Sequence, residues 1–390
     1  MTPAEFSDLV GLSLDVVERY RALGLLDPEN DGLLDDIDLV RLDFVYHRLA
    51  QGEFDPESLA VAIREGRAES MYGRRLFDAG SPLELGEAAE RSGLEPDQLQ
   101  QLVSALGFSW SGLHESDMDI LEILRVARDA GLPWDAILGV TRVVGDSLRR
   151  IADTEIRAVH VYIHERLMAA GAAQEEVEQL IFGIERNLAP LMNPMIQRLH
   201  SEYLLEAMIE DAFFHLTESD TQAKELGSVE ATIAFVDIAS FTALAEARGD
   251  DSAMRVLDRI DAIVRPLLVE HDGKLVKQVG DGFMVAFRDP AHAVQFAIAT
   301  QAELGRDPDL PAIRVGINTG PALYRTGDYI GSAVNVASRV VNSAMPGQIL
   351  LTDPVATAAT KAGIDVEELG VRMMRGVDDP LALYRISPTP

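Results

Sequence analysis

An α+β chain in two unlike halves, helical up to about residue 226 and mixed α/β beyond it, is predicted by three observations. Through the first half, apolar residues recur at spacings of three and four between short Gly or Pro breaks, the period of amphipathic helices. From Val229 onward, short runs rich in Val, Ile and Phe alternate with helical patterns, as in a mixed sheet covered by helices. Charge divides at a similar place: of 64 acidic and 34 basic residues, only 22 and 15 lie from residue 225 onward, although the net charge is −30. At 390 residues, more than one core is expected.

Composition excludes several classes of function. The acidic balance repels nucleic acid and anionic membranes, and no basic patch offsets it. Without cysteine there are no disulfides and no thiol catalysis, which suits a reducing cytoplasm. The start, Met1-Thr2-Pro3-Ala4-Glu5-Phe6, lacks a basic segment followed by an apolar core, and no run approaches a membrane span. A cytoplasmic protein with neither a nucleic-acid partner nor a membrane span is expected.

Residues 1–145 read as a helical regulatory domain built from an internal repeat of about 80 residues. The first copy runs Gly11-Leu12-Ser13, a helix ending Ala22-Leu23-Gly24-Leu25, a loop, Asp38–Leu42, and a break at Gly52–Pro56. The second runs Gly93-Leu94-Glu95, Ala105–Phe108, a loop with Trp110 and Gly112, Asp119–Ile123, and a break at Gly131-Leu132-Pro133. Each module resembles the helix-turn-helix region of MerR-type regulators, over about residues 8–65 and 84–145. A reading helix needs Arg and Lys for phosphates and bases. The first module offers Asp15, Glu18, Arg19 and Arg21, and the second has no Lys or Arg between Gly93 and Asp119. A scaffold reused for protein contacts is therefore expected.

Residues 146–226 read as long helices and a linker, broken near Ala170-Gly171-Ala172 and at Pro190 and Pro194. Met195, Ile196, Leu199, Tyr203, Leu204, Met208 and Ala212 form a broad apolar stripe suited to a dimer stalk. His160 and His164 stand one helical turn apart, a spacing at which protonation near neutral pH can push them apart or break a contact, and which ordinary surface or satisfied histidines also show.

Residues 227–390 predict a strand at 230–237, helices near 240–248 and 251–271, and a β-hairpin over Lys274–Phe287. A helix at 290–304, a strand at 312–318, a helix at 332–344 and strands near 348–352 and 381–386 follow. The hairpin turns at Gly280-Asp281-Gly282, where a Gly-bracketed Asp can take the positive φ of a tight turn and its carboxylate is held up. Asp237 ends the first strand and precedes a helix, so it offers a second carboxylate. Two such carboxylates suggest paired metal ions.

Three motifs carry a family resemblance: Phe235–Thr242, Lys277–Asp281 and Asp328–Arg339. In that order and at that spacing they resemble the catalytic domain of class III nucleotidyl cyclases, over nearly all of residues 228–387. The resemblance implies a ferredoxin-like α/β domain in which Asp237, Asp281 and the Ile238 carbonyl bind two divalent ions, Mg or Mn. It places the purine-reading residues on Lys277 and Asp328, and the transition-state residues on Asn335 and Arg339. Phe241 and Thr242 fall in the substrate-binding segment after Asp237. The family's phosphate-contacting Lys near the C-terminus has no match here, and Arg375 is taken as its substitute. The family's sites combine two subunits head to tail, so a homodimer is implied. Between Gly320 and Asp328 the arm is short, as in a bacterial subgroup.

The residue types fit the chemistry. Attack of the ribose 3′-oxygen on the α-phosphorus of ATP, with pyrophosphate leaving, needs metal activation and charge screening. The N–H groups of Ala239 and Ser240, entering the helix, are expected to hold phosphates. Asn335 and Arg339, four apart, share a helix face. Adenine presents an acceptor at N1 and a donor at N6, matching Lys277 and Asp328, whereas guanine presents the opposite pattern. Singly, Asp237 reads more often as a helix cap and Asp281 as a turn residue, while Lys277 also reads as an edge charge and Asn335 with Arg339 as a helix surface pair. The reading is an adenylyl cyclase regulated through its N-terminal half by pH or a small apolar ligand. Its rivals are a nucleotide-sensing transcription regulator and a guanylyl cyclase.

Overall fold

In a computed structural model the chain forms two compact units, Met1–Asp220 and Thr221–Pro390. The structure describes residues 2–10, 12–26, 34, 55–64, 82–83, 85–107, 113–217, 227–374 and 380–386.

In the first unit, α1 (Pro3–Val10) and α2 (Leu14–Ala22) close over Phe6, Val17, Tyr20, Leu25 and Leu26, joined by Ala60 of α3 (Pro56–Arg64). A second small core gathers Leu83, Leu94, Leu99, Leu102 and Leu121. It unites β1 (Pro82–Leu83), α4 (Leu85–Ser92), α5 (Pro96–Leu106) and α6 (Met118–Asp129), while β1 pairs with β2 (Leu113–His114). Two separate apolar clusters thus stand along this part of the chain. Asp38–Leu42 and Gly52–Phe54 of the first copy, and Phe108, Trp110 and Gly112 of the second, lie outside the described residues.

Three further helices follow in this unit. α7 (Trp134–Val159) crosses α5 so closely that a Cβ on Gly145 would stand 2.6 Å from the Leu106 carbonyl oxygen. There Arg149 donates to the Gly107 carbonyl, a cation placed where the α5 dipole is negative. α7 continues through a π-helical turn, His160–His164, into α8 (Glu165–Ala169), and the chain then breaks at Gly171, φ 83°. The expected breaks at Pro190 and Pro194 are absent: α9 (Gln174–Thr217) is one helix of 44 residues. A proline inside a helix forfeits one hydrogen bond and bends the rod, and intact turns on either side carry the helix through. Met195, Leu199, Tyr203, Leu204 and Met208 on α9 are between 45% and 65% exposed, so the stripe is uncovered.

The second unit is a mixed eight-stranded sheet with the order β4-β5-β3-β6-β8-β10-β9, and β7 beside β6. Its strands are β3 (Ser228–Ile238), β4 (Lys274–Val279), β5 (Gly282–Phe287), β6 (Ile313–Arg325) and β7 (Asp328–Ile330). β8 (Ile349–Thr352), β9 (Val366–Arg372) and β10 (Leu381–Ile386) follow, with β6 and β8 parallel and the other pairs antiparallel. One face is covered by α11 (Asp250–Glu270), α12 (Pro290–Gly305) and α14 (Asp353–Lys361) around Ile260, Val264, Phe283, Phe296 and Leu351. Against the other face lies α13 (Ser332–Asn342), over Ala231, Ile233, Met284 and Ala286. α10 (Phe241–Arg248) follows β3 directly. β6 runs seven residues past its expected end, because the Gly320-Pro321 step stays in register with Ala231 and Glu230.

Candidate active site

Strand pairing decides which side chains meet. Asp237 lies opposite Arg314 on the β3–β6 ladder, and Arg314 Nε donates to Asp237 Oδ2 at 2.5 Å. The two side chains are 28% and 33% exposed, so the ion pair stands at the rim of the sheet rather than inside it. Lys277 on β4 is level with Met284, which is level with Phe235. Level neighbours share a face. Phe235 and Met284 pack with Ala337 of α13, so Lys277 faces the side that carries α13.

The hairpin brings Asp281 to the same end of β3. Val279 pairs with Gly282, which leaves Gly280 and Asp281 as a two-residue loop. The positive φ falls on Gly280 (62°), not on Asp281 as the sequence suggested. This is the pattern of a II′ turn, in which glycine at the first central position relieves the second of a left-handed conformation. Gly282 makes the approach possible, since a Cβ there would stand 2.8 Å from the Val236 oxygen and 3.6 Å from Asp237 Oδ1.

β3 ends at the buried Ile238. The Ala239 N–H, expected to be available for phosphate, donates instead to the Ala312 carbonyl at 2.9 Å, because the β3–β6 ladder continues one rung further. Ser240 caps α10 in a left-handed conformation, φ 60°. The Phe241 ring packs against the apolar cluster of the far face, so the main chain of Phe241 and Thr242 is what the first turn of α10 presents.

Lys277 and Asp328 form an ion pair, with side chains 44% and 33% exposed. Asp328 also accepts from the Tyr329 N–H at 2.9 Å, which fixes its carboxylate at the start of β7. β6 and β7 are joined by Thr326 and Gly327 alone, both at positive φ, and Tyr324 and Tyr329 pack across the arm with ring centroids 4.9 Å apart. On α13, Ala333, Ala337, Val340 and Val341 are buried, whereas Asn335 and Arg339 lie on the exposed side, one turn apart.

The sequence does not single out Arg314. A lone arginine in an apolar strand gives no signal until the register sets it opposite Asp237. Arg375 lies outside the described residues. Among the described residues no group of three or more His, Asp or Glu side chains is placed to hold a metal. The donors available are the carboxylates of Asp237 and Asp281 and the Ile238 carbonyl. An all-oxygen set of this kind suits hard divalent ions such as Mg or Mn that keep part of their water. The close approach at Gly282 brings the residue next to Asp281 up against Val236 and Asp237.

Residues 224–387 match the adenylate and guanylate cyclase catalytic domain family, and residues 60–208 match the adenylate cyclase regulatory domain family. An uncharacterized protein of Mycobacterium tuberculosis (strain H37Rv) is 30% identical over 353 residues, 87% of this chain and 85% of its own length. The chain belongs to the class III adenylyl cyclase family. This cyclase is also 27% identical over 323 residues to a pH-sensitive adenylate cyclase of Mycobacterium tuberculosis (strain CDC 1551), covering 79% of each chain. The crystal structure of the adenylyl cyclase CyaB from P. aeruginosa is 25% identical, covers 42% of this chain and 96% of that one, and superposes with a TM-score of 0.39. In the cyclase, the catalytic match takes in every strand from β3 to β10, and the regulatory match runs from α3 into α9. No helix among the described residues is long and apolar enough to cross a membrane.

Proposed function

We propose that this cyclase converts ATP to 3′,5′-cyclic AMP and pyrophosphate, at sites each assembled from two copies of the chain. The observation that carries the choice of base is the Lys277–Asp328 pair, a donor and an acceptor already side by side. Adenine N1 accepts from the ammonium and adenine N6 donates to the carboxylate, whereas guanine leaves both mismatched. Asp237, Asp281 and the Ile238 carbonyl would hold two divalent ions. When bound, these lower the pKa of the 3′-hydroxyl and screen the triphosphate.

The chain's own groups do the rest. The 3′-oxygen forms a bond to the α-phosphorus as the bond to the bridging β-oxygen breaks, and the hydroxyl proton passes to solvent. Arg314, released from Asp237, supplies a guanidinium to the phosphates at the same rim. Asn335 orients the ribose, and Arg339 offsets charge on the α-phosphate with a planar fork that lysine lacks. Both stand exposed on α13, a face suited to reaching a neighbouring subunit's nucleotide. Incubation of the purified chain with ATP or GTP, with Mg or Mn, followed by chromatography of the products, tests the reading. Cyclic GMP as the main product would favour a guanylyl cyclase. Absence of both products, with nucleotide bound and DNA retained at low salt, would favour a regulator.

We infer further that the regulatory unit answers to pH. The His160 and His164 rings are stacked, with centroids 4.7 Å apart and planes 14° from parallel, across the π-helical turn. Among the described residues His164 Nδ1 is buried without a hydrogen-bond partner, and His160 Nε2 lies 3.7 Å from Glu165. A proton on each ring sets two cations face to face where the helix is already irregular. Activity measured from pH 5.5 to 8 should change shape in His160→Gln/His164→Gln, and an unaltered profile would overturn the assignment.

A further inference from the structure

α13 is seated on β6 at two points. Gly316, Asn318, Gly320 and Ala322 alternate along one face of the strand, a nearly smooth bed for a helix. At one point the contact is steric: a Cβ on Gly316 would stand 2.1 Å from Val341 N and 2.8 Å from Val340 C, so the helix backbone rests directly on the strand. At the other it is polar. Asn318, 7% exposed, donates from Nδ2 to the Ala333 carbonyl at 3.0 Å and accepts at Oδ1 from Thr352 Oγ1 at 2.8 Å.

This geometry leaves the Asn318 amide one orientation. A carbonyl only accepts, so Nδ2 must face Ala333, and the 2% exposed Thr352 hydroxyl must then donate to Oδ1. Ala333 lies in the first turn of α13, two residues before Asn335 and six before Arg339. A hydrogen bond to one chosen carbonyl fixes both the rotation of a helix about its axis and its slide along the strand. Apolar contacts through small residues such as Ala333 and Ala337 fix these weakly.

We propose that Asn318, oriented by Thr352, is a positioning residue for the transition-state pair. It sets the rotation of α13 and so aims Asn335 and Arg339 into the site they complete on the partner subunit. The inference rests on the composite site proposed above. A misplacement of about 1 Å in such a group lowers the rate about 100-fold, so Asn318→Leu, similar in volume but without polar atoms, should lower kcat by about 10- to 100-fold. KM for ATP should stay within about threefold, because most of the ground-state contacts are made elsewhere.

Mixed dimers separate positioning from a general loss of fold. Two differently tagged full-length chains are co-expressed and purified through both tags. Asn318→Leu paired with Asp281→Ala leaves one site whole, with metal ligands from the first chain and α13 from the second, so about half of the wild-type rate should return. Paired with Arg339→Ala, every site holds a damaged α13 and no activity should return. Recovery with Arg339→Ala but not with Asp281→Ala would place the defect on the metal side and overturn the proposal. So would recovery with neither, or full activity of Asn318→Leu alone. The control pair, Asp281→Ala with Arg339→Ala, must itself recover activity. Its failure overturns the composite site and the proposal together, whereas its success beside failed recovery of Asn318→Leu overturns the proposal alone. Where Asn318→Leu does not accumulate as folded protein, Thr352→Val removes only the orienting hydroxyl. It should follow the same pattern with a loss of about 3- to 10-fold.

Discussion

The two faces of the catalytic sheet are made from the same strands, yet they are built to opposite rules. On the face under α11, α12 and α14, Ile260, Val264, Phe283, Phe296 and Leu351 form one continuous apolar cluster. On the face under α13 the apolar area is divided into two small groups, and Lys277, Asp237 and Arg314 stand around them only partly buried. Along β6 the contrast is sharpest. Val315 and Ile317 fill the closed face, whereas Arg314, Gly316 and Asn318, one residue out of phase, serve the open one. The pleat lets one strand supply a closed core on one side and residues of the proposed site on the other.

Substitutions that respect this division should separate activity from stability. Asp281→Ala should have the largest effect, lowering kcat at least about 1,000-fold with the melting temperature nearly unchanged. More than a tenth of wild-type activity would remove the metal assignment. Ile260→Ala, on the closed face, should do the reverse: a loss of about 3 kcal/mol in denaturant unfolding, with kcat per folded molecule kept. A fall in both would show that the closed face also shapes the site. Lys277→Ala should narrow the preference for ATP over GTP by about 10- to 100-fold in kcat/KM, again without loss of stability. Arg314→Ala should have the smallest of these effects, raising KM for ATP about 10-fold, and an unchanged KM would confine Arg314 to neutralising Asp237.

Much of this division is legible in the sequence. Period-two alternation in Lys274–Phe287 and the Gly-Asp-Gly break give the hairpin, and the three motifs give Asp237, Lys277, Asp281, Asp328, Asn335 and Arg339 before any register is known. Pairing is not legible, because a strand's partners lie far away in the chain. Arg314 gains its meaning from Asp237, 77 residues earlier, and Asn318 from Ala333 and Thr352. Gly320-Pro321 reads as an end, yet β6 continues, and Ala239 reads as a free donor, yet the ladder claims it. In the helical unit the local signal misleads at Pro190 and Pro194, where neighbouring turns outweigh the two lost hydrogen bonds.

On the base-reading role proposed for Lys277 and Asp328, their ion pair has a consequence for nucleotide entry. Each residue is the other's ligand, tethered in the same chain, so an incoming base competes with a partner already present at high effective concentration. A base that satisfies both halves replaces what it displaces, and one that satisfies a single half leaves the other charge stranded. Because the pair is partly exposed, the barrier is low, about 1 kcal/mol or less, and it should fall further as salt screens the two charges. Moderate salt should therefore shorten the delay before adenine docks while weakening the triphosphate's own hold, so that the two ends of one substrate answer ionic strength in opposite directions.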